Sequence, residues 1–161
     1  VIGSQLGSQK VVASIASKGQ SEASIFTFDF GLTGVQPATG SILGGTILTL
    51  TGTGFDIGDK SELLVTIGEN TGINCDIQQI VSNTEMTCRT PPLVAGASIE
   101  KDTDVEIIVH LRAVLPTVCA GCLFQYSEGS TPEFSAVTPT EGGYGAIQFT
   151  TSGFTGLTSA Q

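Results

Sequence analysis

Tryptophan is absent, methionine and histidine occur once each, and only 6 of the 161 residues are Lys or Arg. The shortage of basic residues closes a class of function. A chain with no basic cluster and a formal net charge of −9 cannot assemble the positive footprint that binds phosphate backbones, so nucleic acid is not an expected partner. No apolar stretch approaches the roughly 18 residues of a spanning helix, so membrane insertion is not expected. The opening VIGSQLGSQK lacks the charged and apolar segments of a signal peptide, so a secreted protein would be a processed or excised form. Runs of Ala, Leu, Glu and Lys that favour helix are also missing. Charged residues make up 13% of the chain while 40% is hydrophobic and spread throughout, which argues against disorder.

The lone His110 has no second ligand at metal-binding spacing, and no nucleophile elbow or phosphate loop occurs. Neither an enzyme nor a cofactor is expected. His110 alternates with Glu106 and Arg112 on the outward side of a strand whose inner side is Val105, Ile107, Val109 and Leu111, and reads as a surface histidine. Glu100, Asp102, Asp104 and Glu106 recur at every second residue and form a carboxylate stripe if the strand reaches that far. A solvated edge is favoured there over a calcium site. Asp56, Asp59 and Glu62 are a looser acidic group with the same reading. Asn70, Asn74 and Asn83 are followed two residues later by Gly72, Asp76 and Glu85, so none is an N-linked acceptor. Thr90, Thr131, Thr138 and Thr140 lie beside or near prolines in turn-like sequence and are candidate O-linked positions, against the plainer reading that Thr suits strands and turns.

What is abundant is the material of sheets: 21 Gly, many Thr and Ser, and 8 Phe. Strands are expected near 34–38, 46–51, 63–68, 73–81, 85–89, 104–113 and 121–127, separated by Gly, Asn and Pro turn signals. Seven short strands without a helical stretch favour a two-sheet sandwich. Four cysteines in such a chain suggest an oxidising compartment and allow three pairings. Cys75 and Cys88 bracket CDIQQIVSNTEMTC, whose turn-like SNTE lets the thiols face each other across a hairpin. Cys119 and Cys122 form CAGC, readable as a local disulfide, a redox-active pair or half of a zinc site, the local disulfide being the default.

The chain also repeats itself. Residues 11–30 lie over residues 107–126 at an offset of 96, GVQPATG over AVTPTEG at 102, and TILTLTGTGF over GAIQFTTSGF at 99. Three segments in one order at nearly constant spacing indicate a tandem repeat of about 100 residues, the size of an immunoglobulin-like sandwich. The expected division is 1–33 as closing strands of a preceding repeat or an assembly arm, 34–130 as a complete sandwich, and 131–161 as opening strands of a following repeat or a second arm.

VQPATGSILGGTILTLTGTGF, then TIG at 66–68, then TEMTCRTPP at 84–92 resembles the IPT/TIG domain, the immunoglobulin-like fold of plexins, transcription factors and fibrocystin-type surface proteins. The resemblance implies an all-β sandwich, with spacing and binding in place of catalysis, and its extracellular members commonly carry the cysteine pair matched here to Cys75 and Cys88. Cys119 and Cys122 lie outside its pattern.

Phe26, Phe28, Phe30, Ile147, Phe149 and Phe154 place apolar side chains on the two arms. Burial of each is worth roughly 1.5–3 kcal/mol, so a partner is expected to cover them. The partner is either an adjacent repeat of the same polypeptide or an identical chain, with glycans as possible covalent additions. The leading expectation is an extracellular structural protein joining head to tail by strand pairing into a filament or stalk. The alternative is a ligand- or adhesion-binding module from the ectodomain of a large cell-surface receptor.

Overall fold

The computed structural model describes residues 7–56, 60–111, 116–138 and 148–152, with the backbone alone at Phe28, 134–138 and 148–152. Fourteen strands are described, in chain order: β1 (Gly7–Val11), β2 (Ser14–Ile15), β3 (Gly19–Gln20), β4 (Ser24–Phe28), β5 (Gly31–Gln36), β6 (Thr39–Ser41), β7 (Ile47–Thr53), β8 (Leu63–Ile67), β9 (Asn74–Ser82), β10 (Glu85–Arg89), β11 (Asp104–Leu111), β12 (Thr117–Ser127), β13 (Glu133–Thr138) and β14 (Gln148–Ser152). Short 3-10 turns occupy Lys60–Glu62 and Glu128–Ser130.

β5 to β12 build the immunoglobulin-like sandwich, in the hydrogen-bonded order β5-β7-β10-β9-β8-β11-β12-β6. Two devices connect its layers. At one side β9 starts on β8, through Val65 opposite Cys75 and Thr66 opposite Asn74, and continues on β10. At the other, the chain leaves β5, which lies antiparallel to β7, passes a cis Gln36–Pro37 bond, and returns as β6, parallel to β12. Pro37 donates no hydrogen bond, so it sits where the chain leaves one ladder for the other.

The core follows the period-two pattern. Leu48 and Leu50 of β7, Val65 and Ile67 of β8, Met86 and Cys88 of β10, Ile107 and Val109 of β11, and Phe124 and Tyr126 of β12 are all fully buried. The rings of Phe124 and Tyr126 meet edge to face at 5.1 Å between centroids, an arrangement the ring quadrupoles favour.

Strand boundaries depart from expectation most in two places. The first sandwich strand is Gly31–Gln36 and not 34–38, because Gly31 and Leu32 already pair with Thr53 and Gly52. The last begins at Thr117 and not 121: Val118 pairs with Ile108 and Leu123 with Glu106, so residues 119–122 bulge out of an otherwise continuous pairing.

Each arm is a ribbon folded on itself. β1 pairs with β4 from Gly7 opposite Phe28 to Val11 opposite Ser24, with β2 and β3 pairing beyond them toward the turn. β13 pairs with β14, and here the internal repeat becomes geometric. Five residue pairs run from Glu133 opposite Ser152 to Thr138 opposite Gln148, with a register break between Phe134 and Ala136. In the sandwich, β5 and β7 pair from Gly31 opposite Thr53 to Gln36 opposite Thr49, with the break between Leu32 and Gly34. Shifting β13 by 102 and β14 by 99 superposes all five pairs and the break. The first ribbon matches β11 and β12 less closely. Gly7 opposite Phe28 corresponds to Val105 opposite Phe124, so β1 is slid by two residues relative to the sequence match, which keeps the same side chains on the same face.

Candidate interaction surface

On the outward side of β8, β11 and β12 lies a cleft of about 340 Å³, lined by Leu64 and Thr66 of β8, residues 69–72 of the following turn, Glu106, Ile108 and His110 of β11, and Pro116 and Val118 at the start of β12. Period two sends the even-numbered residues of β11 outward, yet Ile108 is only 4% exposed and forms the apolar floor. Leu64 and Val118 flank it and remain 44% and 51% exposed. At one rim His110 Nε2 lies 3.0 Å from the Thr66 hydroxyl, so His110, expected as a surface histidine, is a half-buried member of the wall. The turn at the other end is held by Thr71, whose hydroxyl donates to the Ile67 carbonyl at 2.6 Å and accepts the Ile73 amide at 3.1 Å. An apolar floor, a carboxylate and an imidazole at the rim suit the capture of a protein side chain.

The signal for this surface was present in the sequence as the run Ile107, Ile108, Val109, where a half-buried strand would alternate. Pairing with strands on both sides, β8 and β12, explains why β11 carries apolar residues on both faces.

A second apolar groove, about 640 Å³, runs between Ile42, the loop 93–97, Ile99 and the start of the linker at Glu128. That linker is tied to the sandwich. The Thr131 hydroxyl accepts the Ile42 amide at 2.9 Å and donates to the Ser127 carbonyl at 2.9 Å, and Lys101 pairs with Glu128. The Lys101 ammonium is held above its usual pKa by the hydrogen bond and charge of Glu128.

The remaining expected residues fall as follows. Cys75 is bonded to Cys88 with an S–S distance of 2.06 Å, where β9 leaves β8 for β10. Cys119 is bonded to Cys122 across the bulge of β12. Thr90 is not an exposed candidate for a sugar: it is 2% exposed and its hydroxyl accepts the Thr46 amide at 3.1 Å. Thr131 is half-buried with its hydroxyl engaged, Thr138 lies in β13, where only the backbone is described, and Thr140 lies outside the described residues. The carboxylate stripe is shorter than its sequence period suggested, because β11 starts at Asp104. Glu100 precedes the strand, and Asp102, at φ 57°, sits in a turn with its amide donating to the Tyr126 carbonyl. Asp56 is exposed, Glu62 belongs to the first 3-10 turn, and Asp59 lies outside the described residues. No group of three or more His, Cys, Asp or Glu among the described residues is placed to hold a metal.

Of the arm residues, Phe26 is 54% exposed on β4 with its neighbour Ile25 at 68%. The Phe28 and Phe149 side chains, and Ile147 and Phe154 altogether, lie outside the description. Phe30 departs from its expected role, because it packs edge to face on the sandwich's own Phe55 at 6.2 Å and so already has a partner within the chain.

The IPT/TIG domain model matches residues 32–126, which are the sandwich. The chain belongs to the IPT/TIG family. Human fibrocystin-L is 33% identical over 150 residues, 92% of this chain, and the mouse protein 29% over 128 residues. Plexin-2 of Caenorhabditis briggsae is 40% identical over 75 residues, 47% of this chain. The chain spans about 3% of the length of either fibrocystin-L and 4% of plexin-2. A solved structure of the plexin A4 full extracellular region covers 86% of this TIG chain and 11% of its own, with a TM-score of 0.53 and 22% identity, a likeness of fold. No helix of the described residues is long and apolar enough to cross a membrane. Two disulfides, together with these relatives, mark the TIG chain as extracellular.

Proposed function

We propose that this chain is one complete TIG module, with parts of its two neighbours attached, from the ectodomain of a large cell-surface receptor, and that the module acts as a spacer presenting the β8–β11–β12 face to a protein ligand. The observation that carries this reading is the last ribbon. β13 and β14 reproduce the five pairs and the register break of β5 and β7, which suits the opening strands of another TIG sandwich in the same polypeptide. The relatives' proportions agree, since a match of 150 residues is a small part of a very long protein.

On this reading the partners of the arms are adjacent repeats. The exposed Val11, Ile25 and Phe26 of the first ribbon belong to a sheet whose remaining strands lie in the neighbouring repeat. The module binds and spaces and performs no catalysis. Head-to-tail joining of separate chains into a filament has less to support it, because each arm's strands already pair with each other.

Light scattering coupled to size exclusion, over a hundredfold range of concentration, separates the two. A constant mass equal to one chain, or a small closed oligomer, is expected. A mass that climbs without limit, with fibres visible by negative stain, would overturn the module in favour of the filament.

A further inference from the structure

We propose that Cys119–Cys122 is an exchangeable disulfide at the edge of the core, attacked at Cys119 and opened by dithiol reductants while Cys75–Cys88 stays closed, and that its opening loosens one wall of the β8–β11–β12 cleft.

Three independent features of the structure separate the two bonds. The first is access. Cys122 is 2% exposed, but Cys119 is half-buried and followed by exposed Ala120 and Gly121, so one sulfur of the pair lies on a residue open to solvent. Cys75 and Cys88 are 3% and 0% exposed, and their bond is reached only by opening the core. The second is the ladder. Residues 119–122 stand outside the pairing of β11 with β12, which resumes on both sides at Val118 and Leu123, so releasing them breaks none of its register. Gly121, at φ 90°, permits the tight turn without a side-chain penalty. The third is chain entropy. The bond spans a sequence separation of 3 against 13 for Cys75–Cys88, and a short ring constrains the unfolded chain less. Opening it therefore leaves the fold standing.

The exchange balances as follows. One thiolate of the dithiol attacks Cys119 Sγ, forming a mixed disulfide and expelling the Cys122 thiolate, which takes a proton from water. The second thiol of the reductant, deprotonated, attacks its own sulfur in the mixed disulfide and releases Cys119 as a thiolate, which takes up the proton that thiol lost. The protein gains two thiols and the reductant closes to a disulfide, two electrons having passed to Cys119 and Cys122. A membrane-bound or secreted protein carrying a Cys-x-x-Cys dithiol is the class of partner this chemistry fits. Val118 adjoins Cys119 and lines the cleft with Pro116, so the freed bulge changes that wall.

Trypsin places the two pairs on different peptides, since Lys60, Arg89 and Arg112 flank them. The native protein is incubated with a dithiothreitol series, alkylated with iodoacetamide and digested. The Cys119 and Cys122 peptide is expected to label at a reductant concentration about tenfold or more below the Cys75 and Cys88 peptide, in keeping with the lability of accessible disulfides. Amide spectra at that point should change near residues 106–108 and 116–123 and keep their dispersion elsewhere. The Cys119→Ser/Cys122→Ser protein should reproduce those changes without reductant. Labelling of both pairs together, labelling of Cys75 and Cys88 first, or loss of dispersion in the double serine variant would each overturn the proposal.

Discussion

The Tyr126 hydroxyl donates to the Pro91 carbonyl at 2.9 Å, joining the fully buried end of β12 to the loop that follows β10. Proline lacks an amide donor but keeps its carbonyl, and here that carbonyl is the anchor. The same loop makes two further bonds: its Thr90 carbonyl accepts the Gly45 amide at 2.8 Å, and its Thr90 amide donates to the Thr46 carbonyl at 2.9 Å. Tyr126 is thus a lock between elements 35 residues apart.

Replacing Tyr126 with Phe keeps the ring and its edge-to-face contact with Phe124 and removes only the hydroxyl. The Pro91 carbonyl then loses its donor, and the expected cost is about 1–2 kcal/mol. Urea denaturation should show a lower midpoint with an unchanged slope. A midpoint within error of the parent would mean that the bond adds nothing to stability.

Burial raises the Tyr126 pKa from 10.0 to about 12. A phenol is neutral when protonated, and its folded pKa lies above the unfolded one. The stability it contributes is complete below pH 10 and lost as pH rises through about 12. In a Tyr144→Phe background, absorbance at the phenolate band should titrate near pH 12 in the folded protein, with stability falling above pH 10. Ionisation near pH 10 with no change in stability would contradict the burial argument.

Much of the sandwich was legible because its determinants are local. Alternation marked β7, β8, β10 and β11, and the SNTE segment marked the hairpin that brings Cys88 near Cys75. What escaped depends on distant pairing. Thr90 resembles a turn residue beside prolines, and only the arrival of Thr46, 44 residues away, turns its hydroxyl inward. β6 is three residues with no apolar alternation, defined by its parallel partner β12. Ile108 falls on the outward side of β11 with Glu106 and His110 by alternation, and its burial beside Leu64, Val118 and the turn at 69–72 depends on the neighbouring strands β8 and β12. In the arms, the pairing of the described strands into ribbons is not legible in the sequence, since apolar side chains announce a need for cover and not the strand that supplies it.

Gly54 is where the entering arm meets the sandwich. Its φ is 83°, and a Cβ there would lie 2.4 Å from the Asp29 carbonyl oxygen. Its amide donates to the Asn83 side chain at 2.9 Å, so the backbone is held from both directions. Gly54→Ala combines a left-handed strain of about 1–2 kcal/mol with an overlap costing about 1–3 kcal/mol. Thermal melting should show a clear loss. Gly45→Ala is the comparison: its φ is also positive, at 83°, but nothing lies within 4 Å of the added carbon. It should show the strain alone. Equal losses in the two variants would remove the overlap from the account.

The Cys75–Cys88 bond closes a separation of 13 residues at the corner where β9 changes partners, with the α-carbons 5.5 Å apart. Chain entropy for a loop of this size amounts to about 3 kcal/mol. Cys75→Ala/Cys88→Ala should therefore lower the melting temperature by on the order of 15 °C while the far-ultraviolet spectrum at low temperature stays that of a β protein. The Cys119→Ser/Cys122→Ser protein should lose much less, because its ring is short and stands outside the strand pairing. If the two double variants melted together, the corner would be held by the buried side chains around it, Val65, Ile67 and Met86, and the sulfur bond would be secondary to packing.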